Sequence, residues 1–225
     1  LWGGMGVVQA AQNAMNEVWN VPYKQQPNFL MSRLRAVIML AVLGAAAIGS
    51  AVLAGMSSSG GGLGLLVKLL TVVGAFALNL GLFLAAYRIL TVEDLSWGDV
   101  FPGALIAAVL WSVLQYLGTY YVGHQLKSAS EVYGFFAVVI GLLSWIYIGA
   151  QLTLLCAEIN VVRKQKLWPR SLVQPPLTEP DKRALEHLAK EEERRPEEKV
   201  EVRFSDEAGG ESDSGSREGD SAPAR

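Results

Sequence analysis

The chain has 225 residues, 51% of them hydrophobic and 18% charged, with a formal net charge of −2. Residues 1–178 carry ten Lys/Arg against six Asp/Glu and residues 179–225 nine against fifteen, so an acidic tail hangs on an apolar body. The lone Cys156 excludes an internal disulfide, and with His124 and His187 the only histidines no zinc-type ligand set can be assembled, so neither metal nor cofactor is expected.

The sequence starts inside an apolar pattern, LWGGMGVV, without an initiator Met or a signal-like segment, and reads as lacking an N-terminal portion. Residues 1–21 read as the inner end of a membrane helix followed by an amphipathic stretch. Gln9, Gln12, Asn13 and Asn16 form one face, Val8, Ala11, Met15, Val18 and Trp19 the other, and Pro22 ends it. Residues 22–168 read as a four-helix transmembrane unit with spans at about 34–56, 63–90, 100–122 and 133–162. Small residues recur at i+4 in the first two, Ala41, Ala45, Gly49 and Ala77, Gly81, Ala85, which permits close helix approach. Ser57–Gly62 reads as an uncharged turn, and its glycines lack the Lys-Ser/Thr of a phosphate loop. Pro102 falls in the first turn of the third span, where its missing N–H costs little.

The last span ends the body. Its polar residues Ser144, Gln151 and Glu158 recur every seventh residue, one narrow helical stripe, and with Asn79 they are expected to face protein as an internal polar lining. A carboxylate near membrane depth needs a reason. For Glu158 two readings stand: a functional buried group, or an acid at the cytoplasmic interface, solvated or paired with Arg88 or Arg163. Asn79 and Gln151 fit hydrogen bonds between helices, and Lys68 and Lys127 fit snorkelling to the outer surface.

Cations in the links set orientation. Lys24, Arg33, Arg35, Arg88, Arg163, Lys164, Lys166 and Arg170 fall on one side and Lys68 and Lys127 on the other, which makes the first side and the C-terminus cytoplasmic. Of these, Lys24, Arg33, Arg35, Arg163, Lys164, Lys166 and Arg170 read as topology and anionic-headgroup determinants at the bilayer, not as a nucleic-acid patch. Residues 169–225 read as a cytoplasmic tail: a short helix over DKRALEHLAKEEERR with a Glu186–Lys190 pair, then disorder from Pro196 onward. The fold class is therefore all-α, a polytopic transmembrane bundle with a disordered acidic tail. No residue set supports catalysis, since His124 has no nucleophile or acid in a motif beside it.

Five segments in order resemble the YihY/BrkB family of bacterial inner-membrane proteins, long labelled ribonuclease BN-like. They are Ala14–Val21, Ala86-Tyr87-Arg88, the Trp97-x-Asp99-Val100-x-Pro102-Gly103-Ala104 helix start, Tyr133-Gly134, and Leu155-Cys156-Ala157-Glu158-Ile159-Asn160. The likeness covers about residues 1–165, although Trp2-Gly3-Gly4 stands where the family tends to have a Trp-Ser-Ala-Ser-like element. It implies a six-helix multi-pass protein of the bacterial inner membrane with both termini cytoplasmic, of which the last four helices and the end of the second are present. Two functional expectations follow. One is a transporter- or permease-like protein, and the other a membrane scaffold that recruits partners through its basic exit segment and acidic tail.

Overall fold

A computed structural model describes residues 2–58, 64–92, 94–124, 134–170 and 177–204. Their helices are α1 (Trp2–Val18), α2 (Phe29–Ser58), α3 (Gly64–Leu90), α4 (Trp97–His124), α5 (Phe135–Lys164) and α6 (Glu179–Glu191), with a 3-10 turn at Tyr23–Gln25 and no strand among the described residues. The architecture is all-α, and α2 to α5 are each long and apolar enough to cross a membrane. Lys127, Tyr133 and the tail beyond Phe204 lie outside the described residues, as do Glu93 and most of the Ser57–Gly62 and Gly123–Val132 links.

The chain divides into two compact units: Leu1–Val21 with Gln25–Lys166, and Pro22–Lys24 with the segment from Leu167 onward. In the first unit, consecutive helices pack as antiparallel neighbours from α2 to α5, and the short α1 lies against α2, α3 and α5. Glycine sets the approach of α2 to α3 and of α4 to α5. A Cβ on Gly49 of α2 would stand 2.9 Å from Leu78 of α3, and one on Gly74 3.0 Å from Leu53. Between α4 and α5 the notches are filled by indoles, Trp111 against Gly149 and Trp145 against Gly118. Phe83 of α3 meets Trp111 edge-on at 6.3 Å, so one indole is shared by three helices.

Local chemistry fixes the helix ends, and several differ from the sequence reading. Helix α1 stops before Pro22: Asn20 takes a left-handed φ of 50°, and Val21 N–H donates to Asn16 O while Asn20 N–H donates to Glu17 O, a Schellman closure. Helix α2 starts at Phe29, so Arg33 and Arg35 belong to its first turns and not to a link. Helix α4 starts at Trp97, three residues earlier than read, because Ser96 and Asp99 cap it reciprocally: Asp99 N–H donates to Ser96 Oγ at 3.3 Å and Ser96 N–H to Asp99 Oδ2 at 3.0 Å. Pro102 consequently lies in the second turn, one residue inside the regular ladder.

Burial in the first unit is concentrated at one end. Tyr87, Thr91, Val100, Ala104, Cys156, Ala157 and Asn160 are buried there with Met15, Asn16 and Trp19, whereas most large apolar side chains along α2 to α5 are exposed, as lipid-facing residues are. On α1 the buried face is Val8, Gln12, Met15, Asn16 and Trp19, which straddles the expected polar and apolar faces. The second unit is small. Thr178 N–H and Oγ both donate to Asp181 Oδ2 at the start of α6, and Arg170 Nε donates to Asp181 Oδ1 at 3.0 Å. Lys24 pairs with Glu193, whose Oε1 also accepts Val200 N–H at 2.9 Å. The segment read as disordered from Pro196 is thus described as far as Phe204.

Candidate functional site

Helix α5 has two contrasting faces. Its inner face is small and exacting: Tyr87 OH of α3 donates to Thr153 O at 2.9 Å, and the Asn160 carboxamide accepts Gly103 N–H at 2.7 Å and donates to Val100 O at 3.3 Å. Asn160 therefore bridges the α4 backbone on both sides of Pro102, which has no N–H to give. Gly103 is required there, because a Cβ would stand 2.2 Å from Cys156 O and 2.4 Å from Asn160 Nδ2. Burial pushes this carboxamide into full dependence on its partners: Asn160 is 0% exposed.

The remaining polar joins extend from this inner face to α1 and α2. Gln12 and Ser32 exchange two bonds, Ser32 Oγ to Gln12 Oε1 at 2.6 Å and Gln12 Nε2 to Ser32 O at 3.1 Å. Asn16 Oδ1 accepts Val92 N–H, and Arg35 Nη1 donates to Thr91 O at 2.9 Å, so the 91–96 link is tied to both helices. Lys164 lies 3.6 Å from Asp99 and 5.6 Å from the Trp19 ring. Sequence reasoning missed this cluster as a structural unit, although Gly149, Thr153 and Ala157 carry the same i+4 small-residue spacing that marked α2 and α3.

The outer face of α5 carries the stripe Ser144, Gln151 and Glu158. All three are exposed on α5, turned away from α4, and Asn79 is half-buried on α3 and makes no hydrogen bond to them. A seven-residue spacing fixes that three residues share a face but not which way the face turns, and the small residues of α5 take the protein side. Gln151 Nε2 donates to Tyr147 OH at 2.9 Å, a polar pair on an exposed face. Glu158 is not paired with Arg88 or Arg163: among the described residues it joins no ion pair, and the Arg88 guanidinium lies over the Trp97 ring at 4.3 Å.

The cations expected at headgroups divide. Lys24 and Arg170 are engaged by Glu193 and Asp181, Lys164 by Asp99, Arg35 by Thr91 O, and Arg33 lies over Phe29 at 4.5 Å. Arg163 and Lys166 are exposed. No group of three or more His, Cys, Asp or Glu that could hold a metal occurs among the described residues.

Four apolar spans joined at one end by buried polar contacts define a polytopic helical membrane protein. The family profile described as "Virulence factor BrkB" matches residues 1–178, and the chain belongs to the BrkB family. It is 29% identical over 172 residues to a UPF0761 membrane protein of Ralstonia nicotianae, covering 71% of this chain and 37% of that protein. It is 34% identical over 88 residues to YfkH of Bacillus subtilis, named as a ribonuclease-like protein, covering 39% of this chain and 32% of that one. The chain thus spans about a third of the length of the curated relatives it matches. No solved structure matches it.

Proposed function

We propose that the chain is part of the membrane body of a transporter-like protein, in which the outer face of α5 lines a polar path completed by further membrane segments. The observation that carries this reading is the Tyr147–Gln151 pair, exposed on a spanning helix. Gln151 lies thirteen residues before Lys164, about 20 Å of helix, which puts its carboxamide near the bilayer midplane. Polar groups at that depth face a water-filled path or a protein partner, because hydrocarbon offers them no hydrogen bonds. Ser144 and Glu158 continue the same face toward the two surfaces. In this reading the protein sits in a bacterial plasma membrane, and the cation distribution supports a cytoplasmic C-terminus.

Flux through reconstituted full-length protein tests this. Gln151→Leu and Glu158→Gln are expected to reduce ion or metabolite flux severalfold while a lipid-facing control, Leu66→Val, does not. Parent-level flux in both variants would remove the reading. A scaffold that recruits partners is the second reading, favoured by the second unit, where Asp181 and Glu193 are fixed by Arg170 and Lys24 around the charge-rich α6. It predicts that deleting residues from Leu177 onward abolishes partner capture and leaves any flux intact.

A further inference from the structure

Arg88 has no assigned task. It is the exposed cation in the last turn of α3, and its guanidinium stacks on Trp97, the first residue of α4, at 4.3 Å from the ring centroid. No carboxylate reaches it among the described residues. Asp99 is turned to Ser96 N–H and to Lys164, and Asp94 joins no ion pair. The stack covers one face of the guanidinium and leaves its N–H edge, the geometry that grips phosphate oxygens two at a time, free. Trp97 itself is 58% exposed.

The pair is also held in advance. Between the two residues, Thr91 O is held by Arg35, Val92 N–H by Asn16, and Leu95 is buried, so Arg88 and Trp97 do not have to be ordered by a ligand. Below them, toward the bilayer centre, the two helices present an apolar surface. On α3, Gly81 has nothing within 4 Å of where a Cβ would be, and Ala77 is exposed one turn further. On α4, Phe101, Leu105 and Val109 follow Trp97 at i+4 and are all exposed. Helix α3 is 27 residues long, about 40 Å against a hydrocarbon core of about 30 Å, so its last turn stands at headgroup level.

We infer that Arg88 and Trp97 form a discrete site for one anionic phospholipid of the leaflet at this end of the bundle, with the phosphate on the Arg88 edge and an acyl chain along Ala77, Gly81, Phe101 and Leu105. Charge complementarity selects the occupant. A guanidinium at the headgroup boundary that meets no carboxylate among the described residues is matched in charge by a lipid phosphate. The site is independent of the α5 path, since it lies on the other helices and needs no flux.

The test uses purified full-length protein in a neutral detergent, titrated with phosphatidylglycerol, phosphatidylcholine or inorganic phosphate, read by thermal unfolding and by native mass spectrometry. Saturable retention of one phosphatidylglycerol per chain is expected, with a rise in Tm that phosphatidylcholine and phosphate do not produce. Arg88→Gln is expected to weaken retention about tenfold, the loss of a charge-assisted contact. Arg88→Lys keeps part of it, and Arg163→Gln, Lys166→Gln leave it unchanged. Equal retention by Arg88→Gln, or equal loss in Arg163→Gln, overturns the site. Equal retention of phosphatidylcholine overturns the role of charge, and stabilisation by phosphate alone overturns the lipid as occupant. Should Arg88→Gln fail to fold, Trp97→Leu provides the same comparison, with weakened retention supporting the site and parent-level retention refuting it.

Discussion

Asn160 and Gly103 show how one side chain and one missing side chain can define a helix crossing. The carboxamide of Asn160 uses both its oxygen and its nitrogen on the α4 backbone, and Gly103 makes room for it. Replacing Asn160 by Ala removes both of its buried bonds to the α4 backbone and is expected to cost about 1–3 kcal/mol. Gly103→Ala meets backbone as well as side chain, Cys156 O at 2.2 Å, so the helices must separate, with a cost of at least about 1–3 kcal/mol. Thermal unfolding in detergent reads both, and the two changes are expected to be less than additive because they break the same contact. Glu158, two residues before Asn160, is expected to be nearly silent in the same assay, since it is exposed and unpaired. A melting loss in Glu158→Gln as large as that of Asn160→Ala would place the structural group at the wrong residue.

At the scale of the helix, the existence of each span was legible because about 20 consecutive apolar residues admit little else, while its facing was not. Polar side chains attract attention in an apolar run, as the stripe Ser144, Gln151, Glu158 does, whereas the packing of α5 on α4 and α3 is done by Gly149, Thr153, Cys156 and Ala157, whose smallness lets the helices approach. The start of α4 carried a readable signal in Ser96-Trp-Gly-Asp99, a capping box that outranks the first apolar residue as a boundary. Contacts of the tail were not legible, because Lys24 and Glu193 are far apart in sequence and each looks like an ordinary surface charge. Lys24, and then Val200 N–H, hold the Glu193 carboxyl below the usual carboxylate range. A depressed carboxylate stabilises above its unfolded pKa, about 4.3, and that contribution is lost as pH falls through the lower folded value. The protection of the Val200 amide, relative to its intrinsic exchange at the same pH, is therefore expected to fall on acidification and to lose that dependence in Glu193→Gln. Unchanged pH dependence in the variant would assign the protection to another group.

For the molecule as a whole, cations and packing coincide at one end. Arg35, Thr91, Asp99 and Lys164 bring together the start of α2, the end of α3, the start of α4 and the end of α5, and the buried polar joins lie in the same layer. This coincidence has a physical basis. Polar joins can form where water and headgroups are close enough to tolerate their partners, while deeper in the bilayer association rests on glycine notches such as Gly49 against Leu78 and Gly118 against Trp145. On the orientation proposed from the positive-charge asymmetry, the 91–96 link is expected to face the cytoplasm and the start of α3 to face away. On a Cys156→Ala background, Gly64→Cys is expected to react with a membrane-impermeant thiol reagent added to intact spheroplasts, and Asp94→Cys only after permeabilisation. Asp94 is exposed in the link, so protection of its cysteine cannot be ascribed to burial in the bundle. Labelling of Asp94→Cys in sealed spheroplasts with Gly64→Cys protected would invert the protein in the membrane, and would move the Arg88–Trp97 pair to the outer leaflet with it.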